Sequence, residues 1–180
     1  EQAVFALTLG LGVLAYGVLA LGLLGWLHSW AILAWLAAVG LWTWEEWSSL
    51  VSHLPAWFAR QCRACRNLGP VQVTILSVAG LLLLTSLLNA LTPPWDYDGL
   101  MYHLPGPQLF LAAGRVLLLP DIWQANGPLT VEMLFTIGLA WGSDVFAKLI
   151  HLTYGVCFVL GTFAFGRRFL GRMEAWTAVF

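Results

Sequence analysis

The chain has 180 residues, of which 60% are hydrophobic and only 9% charged, with a formal net charge of −1 at pH 7. A soluble domain carries about 25% charged residues, so this chain cannot cover its surface with polar groups and reads as an all-α integral membrane protein. Its eight cations fall in small separated groups and form no basic stripe, which sets nucleic acid aside as a partner.

Residues 3 to 27 carry no charge and exceed the roughly 20 residues that a hydrocarbon core about 30 Å thick asks of a helix. No basic stretch precedes them, and they outrun a signal-peptide core of about 7 to 15 residues, so they are expected to stay in the mature protein. The glycines of "LGLGVLAYG" suit close helix packing, because a phosphate-binding glycine loop needs a strand before it. Residues 30 to 51 form a second, weaker span, with Glu45 and Glu46 near its far end. Arg60, Arg63 and Arg66 follow, flanking a single CxxC at Cys62 and Cys65. A zinc site needs another pair of ligands close by, so these read as ordinary reduced thiols.

Residues 71 to 92 form a third, uncharged span. Residues 145 to 165 form a fourth, with Lys148 and His151 near its start and Cys157 packed inside it as a small hydrophobe. Two units result: residues 1–69, with two N-terminal spans and a basic cytoplasmic loop, and residues 70–180. The chain opens on Glu1 and stops at "EAWTAVF", the start of a further apolar segment, so it reads as part of a longer polypeptide.

The apolar stretch 128–141 is about 14 residues long, short for a span and more like a buried or interfacial helix. Charge decides its placement. Arg60, Arg63 and Arg66 put the loop before the third span in the cytoplasm, and Arg167, Arg168 and Arg172 do the same after the last. Both clusters stay inside only if 128–141 does not cross. Residues 93–144 are therefore expected to form one long non-cytoplasmic loop lying along the membrane. This loop holds Asp96, Asp98, Asp121, Glu132 and Asp144, five of the nine acids, against the single cation Arg115. Trp95, Trp123 and Trp141 suit anchors at the headgroup level.

A loop this long and apolar is expected to be functional rather than disordered. In "PPWDYDGLMYHLPGP" (93–107) Asp98 reads as the N-cap of a short helix that Pro105 and Pro107 end. Asp98 and Tyr102 then share a face, with His103 about a quarter-turn round. The plain readings are a helix cap for Asp98, a solvated turn for Asp96 and a hydrogen-bonded structural role for His103. Glu132, set among Val131, Met133 and Leu134, points either to water or toward a site. His28, His53 and His151 read as interfacial or packing residues. Two chemistries stay open: a divalent metal held by Asp96, Asp98 and Glu132 with His103, or a carboxylate general base.

The pieces "LLNALTPPWDYDGLMYHL", "GRVLLLPDIWQANGPLTVEMLFTIGLAWGSDVFAKLIHL" and "FGRRFLGRMEAW" resemble, in order, the GT-C fold glycosyltransferases that use polyprenyl-phosphate sugars, a group that includes protein O-mannosyltransferases and lipid A aminoarabinose transferases. The resemblance covers residues 70–180 and is weak before them. It implies a multi-span helical bundle of the bacterial cytoplasmic membrane. It also implies inverting transfer of a sugar from a lipid-phosphate donor to an acceptor at the outer face. By place it carries the role of base to Asp98, with Asp96 second, and makes Glu132 a supporting carboxylate. Better-known members have Lys-Pro-Pro where this chain has "NGPL" at 126–129, so Lys148 or Arg115 would take over the contact to the lipid phosphate. The partners implied are the lipid-linked sugar, membrane lipids and other membrane proteins. The alternatives are a non-catalytic transmembrane subunit and, last, a transporter, whose charges would lie midway in the bilayer.

Overall fold

The computed structural model describes the backbone of residues 2–65, 68–127 and 129–178. The side chains of Cys62, Cys65, Arg66 and Arg172, and the whole of Pro128, lie outside the described residues. The chain is helical, with no strand among the described residues. Helix α1 spans Gln2–Leu23, α2 Ser29–Trp42, α3 Trp44–Cys65 and α4 Pro70–Ala90. After a π-helical turn at Gly99–His103 come α5 (Pro105–Ala113), a 3-10 turn at Trp123–Asn126, α6 (Thr130–Leu139), α7 (Asp144–Phe169) and α8 (Arg172–Thr177). Among the described residues three helices are long and apolar enough to cross a membrane: α1 over Ala3–Leu23, α4 and α7.

These three share one arrangement of ends. Lys148, near the start of α7, donates to the carbonyls of Asn89 and Thr92 at the end of α4, so α4 and α7 run antiparallel. Val4, near the start of α1, lies beside Phe163 and Arg167 at the end of α7. At its other end α1 closes with Gly25 in the left-handed conformation (φ +78°), and Trp26 N–H bonds back to the Leu21 carbonyl at 2.8 Å. Next to it, Val116 N–H donates to the Gly22 carbonyl at 3.0 Å, and Leu27 N–H to that of Gly114 at 2.9 Å. The ends of α1 and α4 and the beginning of α7 thus lie at one end of the molecule.

The expected span over 30–51 is not one helix. The chain divides at Thr43, whose hydroxyl bonds back to the Val39 carbonyl at 2.8 Å, a contact that bends helices. The apolar part, α2, has 14 residues, about 21 Å of rise, shorter than a hydrocarbon core. Glu45 and Glu46 belong to the first turn of the amphipathic α3.

The core gathers around α6, not between the long helices. Met133, Leu134, Phe135, Thr136, Ile137 and Gly138 are all buried, against Ala15 and Val18 of α1, Phe110 of α5, and Ala147 and Ile150 of α7. Gly138 permits the closest approach, because a Cβ there would run into Phe146 of α7. The stretch 128–141, expected as a buried or interfacial helix, thus holds the most enclosed element of the fold, α6. Its apolar residues satisfy each other in a small core at the end where α7 begins.

Candidate functional site

The segment after α4 is built around one carboxylate. Asp96 Oδ2 accepts a hydrogen bond from Gly99 N–H at 2.7 Å, while Leu100 N–H donates to the Asp96 carbonyl at 3.2 Å. Asp96, not Asp98, is therefore the residue that caps this turn, with the side-chain-to-N3 geometry of an N-cap. Asp98 already has helical backbone angles and no capping bond. Its exposed carboxylate makes no hydrogen bond or ion pair among the described residues. Leu104 N–H donates to the Gly99 carbonyl, five residues back, so the turn is widened to π-type before α5 begins. The short helix ends at His103, just before the prolines, as expected. Pro105 opens α5, where its missing N–H costs nothing.

The π-turn aims His103 at α6. Its Nδ1 lies 2.8 Å from Glu132 Oε1, with the histidine side chain 35% and the glutamate 12% exposed. A carboxylate only accepts, so Nδ1 carries the proton and Nε2 is left free. The ring also packs edge-on to Phe135, with centroids 6.4 Å apart, and against Tyr102 at 4.1 Å. Burial pushes the Tyr102 phenol above its usual range, and the nearby charges of Asp98 and Glu132 push it the same way.

Asp96, Asp98 and His103 line one cleft of about 520 Å³ that runs between α4 and α7. Its α4 wall includes Ser86, Asn89 and Ala90, and its α7 wall Lys148, His151, Leu152 and Gly155. On α7 these residues are three or four apart and so share a face. Trp95 stands at the cleft with its indole N–H donating to Asn89 Oδ1 at 2.9 Å. The cleft opposes two carboxylates on the post-α4 turn to a basic wall on α7.

Lys148 does reach this cleft, but its ammonium is spoken for. It donates to the carbonyls of Asn89 (2.5 Å) and Thr92 (2.8 Å), with Thr92 Oγ1 and Pro93 O each at 3.4 Å. The carbonyls at a helix C-terminus lack partners within the helix and carry partial negative charge, which is where a cation is most stabilising. Lys148 thus ties α4 to α7. Arg115 is not brought to the cleft. It is exposed beyond Gly114, on the stretch that meets the end of α1. No group of three or more His, Cys, Asp and Glu able to hold a metal ion forms among the described residues. Asp96 is occupied as a cap and Glu132 faces His103, so for the metal, one of the two chemistries left open, the structure does not gather these carboxylates as a ligand set among the described residues.

Two cleft residues were not singled out from the sequence. His151, expected as an interfacial or packing residue, is exposed and one turn along α7 from Lys148. That three-residue spacing was the available signal. Asn89 shows itself only in three dimensions, through its contacts to Trp95 and Lys148. Compared with known protein families, with curated proteins and with solved structures, the chain matches none.

Proposed function

We propose that this chain belongs to a membrane glycosyltransferase of the GT-C type, which moves a sugar from a polyprenyl-phosphate donor to an acceptor at the outer membrane face. The observation that carries this reading is the separation of the two aspartates. Asp96 is spent on the backbone, while Asp98, with no partner among the described residues, presents its carboxylate to a cleft that also holds His103 and a basic helix face.

In the proposed reaction a hydroxyl or amine of the acceptor attacks the anomeric carbon. Its proton passes to Asp98 as the new bond forms, and the bond between that carbon and the phosphate oxygen breaks. The electron pair leaves with the lipid phosphate, whose negative charge the basic wall stabilises. The Glu132–His103 pair supports the site by fixing one imidazole nitrogen and leaving the other in the cleft. A donor whose leaving group stays in the bilayer fits a cleft set between two helices long and apolar enough to span it.

The test is sugar transfer from a polyprenyl-phosphate donor in membranes carrying the Asp98→Asn chain. Turnover should be lost while the protein remains inserted and folded. Unchanged turnover would remove Asp98 as the base, and no transfer by the unaltered chain would favour a non-catalytic transmembrane subunit.

A further inference from the structure

Every described side chain of α3 is exposed, yet the helix sorts its residues by face. At 3.6 residues per turn Trp47, Leu50, Val51, Leu54, Trp57 and Phe58 fall on one side, while Ser48, Ser49, Ser52, His53, Arg60 and Arg63 fall on the other. A helix divided in this way suits a boundary between an apolar and an aqueous phase. The order of the helices supplies that boundary. α2 runs back along α1, since a Cβ at Gly17 would run into the Trp35 ring. Its 14 residues rise about 21 Å, which leaves about 9 Å of a hydrocarbon core about 30 Å thick. α4 then sets out from the far face, beside the end of α7 that carries Arg167. The 22 residues of α3 rise about 33 Å, so most of that length has to run along the bilayer and not through it.

We propose that α3 is an interfacial helix, which beds its face from Trp47 to Phe58 in the leaflet where α4 sets out and has Arg60 and Arg63 drawn to anionic headgroups. Trp47 and Trp57 suit that depth, where an apolar ring and a polar N–H are both accommodated. Pro55 has no N–H, so the Val51 carbonyl lacks its donor within the helix, which is costly in hydrocarbon and harmless where water reaches. Glu45 and Glu46 occupy the first turn and the two arginines the last third, so the cationic end of α3 is the one that joins α4. Across a helix about 10 Å wide these arginines stay within a Debye length of about 8–10 Å of the surface and feel an anionic leaflet. Lipid, rather than a second copy of the chain, is the occupant this position selects, because the neighbouring spans put the leaflet at the height of α3. A non-catalytic subunit would carry the same helix, so none of this rests on the transferase reading.

The test places one nitroxide at a time on the full chain, with Cys62, Cys65 and Cys157 changed to alanine, in vesicles of three parts phosphatidylcholine to one part phosphatidylglycerol. The sites are Val51→Cys, Leu54→Cys and Phe58→Cys on the apolar face and Ser48→Cys and Ser52→Cys on the polar face, all of them exposed. Collision with oxygen, which partitions into hydrocarbon, and with a nickel chelate, which stays in water, gives the depth of each. The three apolar sites should favour oxygen several-fold over the serine sites and sit at similar depth, about 5–10 Å below the headgroups. A depth that changes steadily from Val51 to Phe58, by the about 10 Å that such a segment rises, would make α3 part of a span and overturn the proposal. So would exclusion of both reagents from the apolar sites, which would give that face to protein, a second copy included, and so would free access of nickel to all the sites. In R60Q/R63Q, and in vesicles of phosphatidylcholine alone, nickel collision at Phe58 should rise at least about two-fold with Val51 little changed. No rise in either would overturn the attraction to anionic headgroups. With the native cysteines in place, brominated lipid should quench the fluorescence that W47F/W57F removes, and emission there that bromine does not reach would count equally against the proposal.

Discussion

The Glu132 carboxylate on α6 holds His103 Nδ1 at 2.8 Å, across 29 residues of chain. This contact fastens the turn after α4 to the most buried helix of the fold. Glu132 is only 12% exposed, so removing its partner strands a charge in a poorly solvated place. Glu132→Ala should destabilise the chain by about 1.5–3 kcal/mol, the usual range for a hydrogen bond to a charged group, and Glu132→Gln by less. Thermal unfolding in detergent measures both. Equal midpoints for the unaltered chain and Glu132→Ala would show that the pair contributes nothing.

The two aspartates of the turn should separate in a stability measurement. Asp96→Ala loses a capping bond to Gly99 N–H and should cost about 1 kcal/mol, whereas Asp98→Ala should leave the unfolding midpoint where it is. Gly99→Ala should behave like Asp96→Ala, because a Cβ at Gly99 would push against the Asp96 carboxylate. A reversed order of the two aspartates would return the cap to Asp98.

Lys148→Met removes the cation that closes the end of α4. The Thr92 carbonyl would then need water, while that of Asn89 keeps the Thr92 N–H and hydroxyl, and the α4–α7 contact would loosen at the cleft. The expected cost is about 1–3 kcal/mol, with faster chymotrypsin cleavage after Trp95 and Tyr97. Lys148→Arg should recover part of the loss, and a variant as resistant to protease as the parent would contradict the tie.

Tyr102 supplies a pH prediction. Its phenol is raised first by burial, then by Asp98, then by Glu132, so the folded chain gives up this proton later than the unfolded chain does. The folded value lies above the unfolded one of about 10, so this group's contribution is fully present below pH 10 and is lost as pH rises through that window. Asp98→Asn removes the second cause, and the Tyr102 phenolate should then form at lower pH. Difference absorbance between the parent and Tyr102→Phe, repeated with Asp98→Asn, reads this directly. An identical Tyr102 titration in both backgrounds would rule out the Asp98 influence.

Gly114 ends α5 at φ +68°, and a Cβ there would meet the His28 ring. Gly114→Ala should cost at least the roughly 1–2 kcal/mol of a left-handed L-residue, and it should strain the bond from Leu27 N–H to the Gly114 carbonyl. Comparable unfolding midpoints for Gly114→Ala and the parent would show that the α1–α2 turn yields without loss.

The sequence by itself determined the class of molecule. Hydrophobic runs of about 20 residues and a scarcity of charge are local properties, and they sufficed to locate α1, α4 and α7. It also directed attention to Asp96, Asp98, His103 and Glu132, because ionisable groups stand out in so apolar a chain. Only the tertiary structure decided what each of these does. Whether Asp96 or Asp98 caps the turn depends on backbone angles that both residues accept. Whether His103 meets Glu132 depends on a π-type turn and on α6 being drawn into the core. The role of Lys148 depends on the end of α4, where the Asn89 and Thr92 carbonyls sit next to it although Thr92 and Lys148 are 56 positions apart in the chain. The same holds for α2 and α3, where hydropathy suggests one span and a back-bonded Thr43 divides it. Periodicity records which faces are apolar, but the hydrogen bonds that spend one carboxylate and free another belong to pairs of elements, and no single segment encodes them.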